Sequence, residues 1–323
     1  MQATLKSKIN FEGIGLHSGK VSKLTLIPAP ANHGIWFKRI DIPNPDNMVE
    51  AIYFNVKDKP LCTQLENNCG IKVSTVEHLM AALAGCGIQN ILIEITSQEV
   101  PILDGCSEAF VEAILSAGIQ KQNAKQFALQ IMSRIEVNYE EAYASLSPAQ
   151  SLEIDCSIDF QEEAIGQQTK SLNMANGTFV KELSSSRTFC RKVDIDVMHS
   201  KGLALGGSYD NAIVFDKGNV LTPGGLRYYD EAVRHKMLDA LGDLTLAGIP
   251  IIGKYVGIRS GHMVTHRLLK KLFSSPSSFS FSSSCFCCSA SIANCWPYSS
   301  VVSLPRSRSC ARSFLSRSIF NCA

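Results

Sequence analysis

Alternation of apolar and polar positions opens the chain and predicts β-strands. Residues 4–27 have an extended pattern in which Leu24 and Leu26 stand among polar residues, and glycines interrupt it as turns would. Residues 91–95 form a short apolar run that predicts a buried strand, and residues 251–258 predict another. The chain therefore begins with a β-hairpin and contains at least two further strands.

Helical spacing and glycine stops predict helices between these strands. The stretch 74–84 opens with the capping-box pattern Ser-Thr-Val-Glu and stops at two glycines, and 107–117 is closed by Gly118. A long helix is predicted over 229–247 and a last helical stretch over 264–272. Helices thus alternate with strands in both halves of the chain.

A polar stretch at 120–126 separates the two halves and is typical of a linker. Extended segments at 127–137 and 151–160 follow it, and helices come after them. The predicted fold is α+β, with two similar α/β-sandwich domains at 1–121 and 127–272. In each domain a sheet packs on helices, because strands and helices must bury their apolar faces against each other.

Residues 273–323 differ in composition from the rest, with 18 serines, six cysteines and no Asp or Glu. A segment without periodicity cannot bury enough apolar surface to offset its ordering entropy, so this tail is predicted to be disordered or non-native. Cys285, Cys287 and Cys288 are not expected to bind a metal, since no matching second pair of cysteines accompanies them.

Composition narrows the class of protein. The 323 residues, 45% of them hydrophobic, exceed one typical domain and fit two. The 31 basic and 29 acidic residues nearly balance, which gives no electrostatic reason to expect nucleic acid or a membrane surface as partner. No apolar run approaches the length of a membrane span, and six scattered cysteines are typical of reduced thiols. These features predict a soluble, cytoplasmic protein.

The long predicted helix carries the first candidate chemistry. His235, Asp239 and Asp243 follow each other at i, i+4 and i+8, opposite an apolar stripe. This spacing aligns an imidazole and two carboxylates on one face. Spacing alone favours a solvated charged face, so a functional interpretation needs a partner elsewhere in the chain.

Two further positions could supply that partner. A zinc hydrolase needs two imidazoles, a carboxylate ligand and an unligated carboxylate as base, and Glu77 with His78 could complete such a set. The alternative is that Glu77, as part of the capping box, only satisfies the helix N-terminus. His262 follows a predicted strand in a glycine turn, where histidine usually has no catalytic role.

Taken together, these motifs strongly resemble one family, the UDP-3-O-acyl-N-acetylglucosamine deacetylases, which commit a sugar nucleotide to lipid A biosynthesis. The resemblance runs in order from about residue 4 to 272. It rests on five stretches: 13–19 (GIGLHSG), 75–79 (TVEHL), 186–189 (SRTF), 233–243 (VRHKMLDALGD) and 260–262 (SGH).

The resemblance implies one catalytic Zn²⁺ ion, with Fe²⁺ as the alternative. His78 from the first domain and His235 and Asp239 from the second would hold it, which places the active site in the cleft between the domains. No single segment contains the whole set of ligands.

The resemblance also implies roles for five residues around the metal. Glu77 would take the proton of the attacking water, and His262 would protonate the leaving amine or steady the oxyanion. Asp243 would orient His262, Thr188 would donate a hydrogen bond to the oxyanion, and Lys236 would add positive charge.

For the substrate, the resemblance implies a UDP-acyl-sugar. Phe189 would pack on the sugar, Phe160 on uracil, and Arg259 would lie near the diphosphate, where the family more often has lysine. Residues 201–207, including Gly207, would line a passage for the acyl chain. The implied partners are this small molecule alone, without nucleic acid or membrane insertion, and the implied state is a monomer.

Three stretches depart from the family pattern: 41–65, 138–150 and the tail. The tail leaves open a non-catalytic or truncated copy on the same scaffold. A zinc amidohydrolase with another substrate is the second alternative.

Overall fold

The computed structural model describes residues 1–283. The strands are β1 (Ala3–Leu5), β2 (Ile9–Ile14), β3 (Val21–Pro28), β4 (Ile35–Arg39), β5 (Met48–Glu50), β6 (Val56–Lys57), β7 (Gln64–Glu66), β8 (Lys72–Ser74), β9 (Ile91–Ile95), β10 (Ile119–Lys121), β11 (Phe127–Ile131), β12 (Ile135–Tyr139), β13 (Ala142–Ser147), β14 (Leu152–Asp159), β15 (Gln167–Asn173), β16 (Phe189–Arg191), β17 (Ile213–Asp216), β18 (Asn219–Val220), β19 (Ile251–Ile258) and β20 (Phe279–Ser283). The helices are α1 (Glu77–Gly85), α2 (Glu108–Ala117), α3 (Thr178–Glu182), α4 (Lys192–Ser200), α5 (Glu231–Thr245) and α6 (His262–Phe273).

A five-stranded sheet in the order β2-β3-β9-β4-β5 organises the first half. The predicted hairpin is confirmed, since β2 and β3 pair antiparallel, and Leu24 and Leu26 point to the buried face. Strand β9 pairs with β3 and β4 through buried isoleucines at alternate positions. Helices α1 and α2 contact each other, and α2 packs beside β2.

A seven-stranded sheet organises the second half, with β19 at its centre. One edge of β19 pairs with β13 and β11, and the other edge pairs with β14, which carries β15. Helix α5 packs against β14 and β15, and α6 packs against β12 and β13. The α+β class is therefore confirmed.

The domain boundary remains a prediction, although the sheets agree with it. Within residues 1–283, each strand ladder stays on one side of the interval between β10 and β11. The polar stretch 120–126 is not wholly a linker, because β10 pairs with β1 at the start of the chain. Contacts join the described residues 1–283 into one unit. None of the helices within residues 1–283 has both the length and the apolar character needed to cross a bilayer.

The predicted start of the tail at Phe273 was wrong. The described chain continues through a short 3-10 helix, Pro276–Ser278, into β20, which pairs antiparallel with β11. The physical reason is a short alternation of apolar and polar residues within the serine-rich composition. Phe279 and Phe281 pack against the core, while Ser280 is exposed between them. Cys285, Cys287 and Cys288 lie outside the described residues.

Candidate metal centre

Helices α1 and α5 pack face to face and carry the predicted metal ligands. His78 lies in the first turn of α1, and His235 and Asp239 lie one turn apart on α5. The solvated-face interpretation of α5 was wrong, because His235, Asp239 and Asp243 are all buried. Their helix is covered on both faces, by the sheet on one side and by α1 on the other.

The three side chains converge. One ligand atom from each of His78, His235 and Asp239 lies within 4.8 Å of the other two. The Nε2 atoms of His78 and His235 lie 3.6 Å and 3.4 Å from Oδ1 of Asp239, and the two rings stand nearly perpendicular. Two imidazole nitrogens and one carboxylate oxygen around a common point form the usual ligand set of a catalytic zinc site.

The hydrogen bonds of these residues leave ligand atoms free for a cation. Oδ1 of Asp239 is buried and has no hydrogen-bonding partner among the described residues. Nδ1 of His235 donates to the carbonyl oxygen of Ser186 at 2.9 Å, which directs Nε2 into the cluster. A buried acceptor without a donor is costly unless a cation meets it, so the site fits a metal ion.

Burial and charge set the protonation states that metal ligands need. Burial lowers the pKa of His235 to about 4, so its imidazole is neutral at physiological pH. Burial alone would raise the pKa of Asp239, but nearby positive charge, which the ammonium of Lys236 supplies while His235 is neutral, holds it well below its usual range. The Nζ atom of Lys236 donates to Oδ2 of Asp239 at 2.8 Å, which leaves Oδ1 available to a cation.

Glu77 lies beside the cluster without belonging to it. Its buried carboxylate has Oε1 3.6 Å from Nε2 of His262, and burial raises its pKa. The predicted capping box does not form: α1 begins at Glu77, Ser74 belongs to β8, and Val76 at the N-cap makes no side-chain cap. The Glu77 side chain therefore does not cap the helix; its Oε2 accepts from the backbone N–H of Thr63 at 3.1 Å instead.

His262 opens α6 and faces the same cluster. Its Nδ1 donates to Oδ2 of Asp243 at 2.8 Å, and its Nε2 lies 4.0 Å from Oδ2 of Asp239. Burial lowers the pKa of His262, but Asp243 and Glu77 outweigh it and raise the pKa to about 9. A protonated imidazole beside a carboxylate of raised pKa is the pairing expected of an acid and a base in one site.

Aromatic rings line one side of the cluster. The ring of Phe189 lies 6.3 Å from that of His235, and Phe160 meets Phe189 edge-on at 5.5 Å. Phe189 thus lies next to a predicted metal ligand, and Phe160 lies next to Phe189.

The other predicted residues lie at the ends of strands and in loops. Thr188 precedes β16 and is half-buried, with its backbone N–H donating to Gly105. Arg259 follows β19 and pairs with Glu141 and Asp159, near Phe160. Gly207 is exposed in a loop whose residues 205 and 206 donate backbone hydrogen bonds to residues 17 and 16.

Two residues near the cluster have no motif in the sequence that identifies them. Thr63 and His266 both contact the carboxylate of Asp243 and are buried. Thr63 lies in a stretch where the family pattern is weak, and His266 follows His262 by one helical turn. The i, i+4 spacing of the two histidines was the only available signal.

A second group of potential ligands within residues 1–283 consists of Asp104, Cys106 and Glu108. The guanidinium of Arg227 lies 2.9 Å from Asp104 and 3.7 Å from Glu108, so a cation already neutralises these carboxylates. Burial raises the pKa of Cys106 to about 12, which disfavours the thiolate that a metal requires. The cluster is therefore structural.

Comparison with known proteins decides the family. The family model for UDP-3-O-acyl N-acetylglycosamine deacetylase matches residues 2–274. The chain belongs to this family. Similar proteins named UDP-3-O-acyl-N-acetylglucosamine deacetylase include those of Pasteurella multocida (strain Pm70), 43% identical, and Haemophilus influenzae (strain 86-028NP), 44% identical. Each of these two alignments covers 87% of this chain and 92% of the relative.

The same name belongs to a deacetylase of Myxococcus xanthus (strain DK1622), 44% identical over 86% of this chain and 88% of that protein. The family match over residues 2–274 therefore includes strands β1 to β19 and helices α1 to α6, while β20 lies beyond it. The predicted family and the enzyme class that it implies are confirmed.

Proposed function

We propose that this chain hydrolyses the acetamide of a UDP-3-O-acyl-N-acetylglucosamine to the free amine and acetate, as a step of lipid A biosynthesis. One observation carries the proposal: His78, His235 and Asp239 converge in a buried cluster, and Glu77 and His262 face the same point. Membership of the deacetylase family supports this substrate.

The ligand set supports zinc, with Fe²⁺ as the alternative ion. When bound, the ion polarises the acetamide carbonyl and lowers the pKa of the attacking water. Lys236 holds Oδ2 of Asp239 and Ser186 holds Nδ1 of His235, so these partners orient the ligands before the ion arrives.

Glu77 acts as general base in this proposal. Its carboxylate is not part of the ligand cluster, and burial keeps its pKa above the usual value, which makes it a better proton acceptor. It takes the proton of the water that attacks the carbonyl carbon.

His262 acts as general acid. An amine leaves poorly unless it is protonated. His262 has a pKa of about 9, so it is in its imidazolium form at neutral pH and can supply that proton. Asp243 accepts from Nδ1 and so turns Nε2 towards Glu77 and Asp239. The hydroxyl of Thr188 donates to the oxyanion, and the ammonium of Lys236 adds positive charge on the same side.

The substrate would extend from the cluster in two directions. Phe189 packs on the sugar and Phe160 on the uracil ring, while Arg259 exchanges part of its pairing with Glu141 and Asp159 for the diphosphate. The acyl chain would follow the segment from α4 to Gly207, where Val193, Val197 and Leu205 expose apolar side chains.

A deacetylase assay tests the function. The full chain with one equivalent of zinc should release acetate from the UDP-acyl-sugar, and UDP should inhibit the reaction. Glu77→Gln should lower kcat by about 10²- to 10⁴-fold without loss of metal. Glu112→Gln, an exposed carboxylate on α2, is the matched control and should keep full activity.

The outcomes separate the alternatives. Acetate release that UDP does not inhibit would favour a zinc amidohydrolase with another substrate. A chain that binds zinc but releases no acetate would favour a non-catalytic copy on this scaffold. Full activity of Glu77→Gln would exclude the proposed base. A cytoplasmic location and a monomeric state remain predictions.

A further inference from the structure

Thr63 is a fully buried polar residue that touches both sides of the proposed catalytic machinery. It precedes β7, in the first half of the chain, and has no exposed surface. Its backbone N–H donates to Oε2 of Glu77 at 3.1 Å, and its hydroxyl donates to Oδ1 of Asp243 at 2.5 Å. One residue therefore holds the proposed base and the carboxylate that orients the proposed acid.

Asp243 receives donors on both of its oxygens. Oδ2 accepts from Nδ1 of His262, while Oδ1 accepts from Thr63 and from Nε2 of His266 at 3.1 Å. The Thr63 oxygen also lies 3.2 Å from Nδ1 of His262 and 3.2 Å from Nε2 of His266. The hydroxyl thus lies between the two imidazoles and restrains the rotation of the Asp243 carboxylate.

The orientation of Asp243 decides where His262 points. Nδ1 of His262 can meet Oδ2 only while Oδ1 stays turned towards Thr63 and His266, and this arrangement leaves Nε2 3.6 Å from Oε1 of Glu77. Groups that act by position lose much of their effect when such supporting hydrogen bonds are removed.

We propose that Thr63 is a positioning residue for the deacetylation: its hydroxyl, with His266, fixes Asp243 so that His262 presents Nε2 to the reacting centre. The inference rests on the proposed function. Because Thr63 has no exposed surface with which to bind substrate, its effect should appear in kcat rather than in KM.

Thr63→Val tests the hydroxyl, because valine keeps the side-chain shape and the backbone N–H to Glu77. We expect kcat to fall about 10- to 100-fold, with KM and zinc content unchanged within about two-fold. Thr63→Ser restores the hydroxyl and should recover kcat to within about three-fold of wild type. Thr4→Val is the matched control, since Thr4 is a buried threonine whose two hydrogen bonds, to Asn90 and Ala29, involve no residue of the site.

A double-mutant cycle with His262→Ala separates positioning from general stability. If Thr63 acts through His262, Thr63→Val should change kcat less than about two-fold in the His262→Ala chain. The inference would be overturned if Thr63→Val lowered kcat by the same fold in the wild-type chain and in the His262→Ala chain. It would also be overturned if the Thr63→Val single variant kept the kcat of the wild type.

A readout without activity distinguishes this inference from the proposed function. In the folded chain, the Nδ1–H proton of His262 should give a slowly exchanging downfield NMR signal that Thr63→Val abolishes and Thr63→Ser keeps. If the wild type releases no acetate, the proposed function fails, and the NMR signal still decides whether Thr63 holds the His262–Asp243 pair. A signal unchanged in Thr63→Val would refute it.

Discussion

Gly242 on α5 lies directly against the carbonyl oxygen of Glu77 on α1. A Cβ atom at Gly242 would lie 2.1 Å from that oxygen, so only glycine allows the two backbones to approach this closely. The approach brings the first turn of α1, with Glu77 and His78, onto the face of α5 that carries Asp239 and Asp243. It is the contact that assembles the site.

Gly242→Ala should therefore separate the two helices. We expect a free energy of unfolding lowered by about 1–3 kcal/mol, because the added methyl group meets backbone rather than a flexible side chain. Zinc affinity should fall as well, since His78 moves away from His235 and Asp239. Thermal melts with and without zinc measure both effects. A Gly242→Ala variant with the melting temperature and zinc affinity of the wild type would show that neither depends on this close approach of the helices.

The raised pKa of His262 predicts the alkaline limb of the pH profile. The acid form is present below the pKa of about 9 and is lost above it, so kcat should fall as pH rises through about 9. The His262→Ala chain should lack this limb. A limb that persists in His262→Ala would assign the titration to another group.

The same shift links pH to folding stability. Folding raises the pKa of His262 from its ordinary value of 6.5 to about 9. The protonated ring therefore stabilises the folded chain fully below about pH 6.5, and this contribution is lost as pH rises towards about 9. The melting temperature of the wild type should decrease over this interval more than that of His262→Ala. An equal decrease in both chains would contradict the linkage.

Lys236 should control metal affinity through Asp239. Lys236→Met removes the donor to Oδ2 and keeps an unbranched side chain that is one atom shorter, so the carboxylate loses its fixed orientation. We expect zinc to bind about 10- to 100-fold more weakly. Competition with a chelator measures the change, Lys236→Arg should retain most of the affinity, and unchanged affinity in Lys236→Met would show that Lys236 does not orient the ligand.

The strand β20 should contribute to stability. Phe279 packs against the core and stacks edge-on with Phe273 and Phe281. Phe279→Ala should lower the free energy of unfolding by about 2–4 kcal/mol, somewhat less than a fully buried phenylalanine. Ser280→Ala, an exposed position on the same strand, is the control and should leave the denaturation midpoint unchanged; equal midpoints in both variants would contradict the account.

The sequence predicted the elements with strong periodicity. Strand β9 and strand β19 have the predicted bounds, and the ends of α2 and α5 differ from prediction by at most two residues. Glycine stops and alternating isoleucines are local signals, so they can be read without knowledge of the fold. The shorter elements around them could not be placed in this way.

The site depended on contacts that local pattern does not contain. Spacing alone favoured a solvated face for α5, because burial on its polar side comes from α1, which ends 146 residues before α5 begins. Family resemblance corrected that interpretation for His235 and Asp239. The resemblance did not identify Thr63 and His266, since their roles come from hydrogen bonds to Asp243 and not from a motif.

Anomalous X-ray diffraction at the zinc edge from crystals of the full chain grown with zinc tests the central claim most directly. One peak is expected within about 2.0–2.2 Å of a ring nitrogen of His78, Nε2 of His235 and a carboxylate oxygen of Asp239. A crystal in which zinc binds at Asp104, Cys106 and Glu108, or does not contact His78, His235 and Asp239 together, would contradict the account.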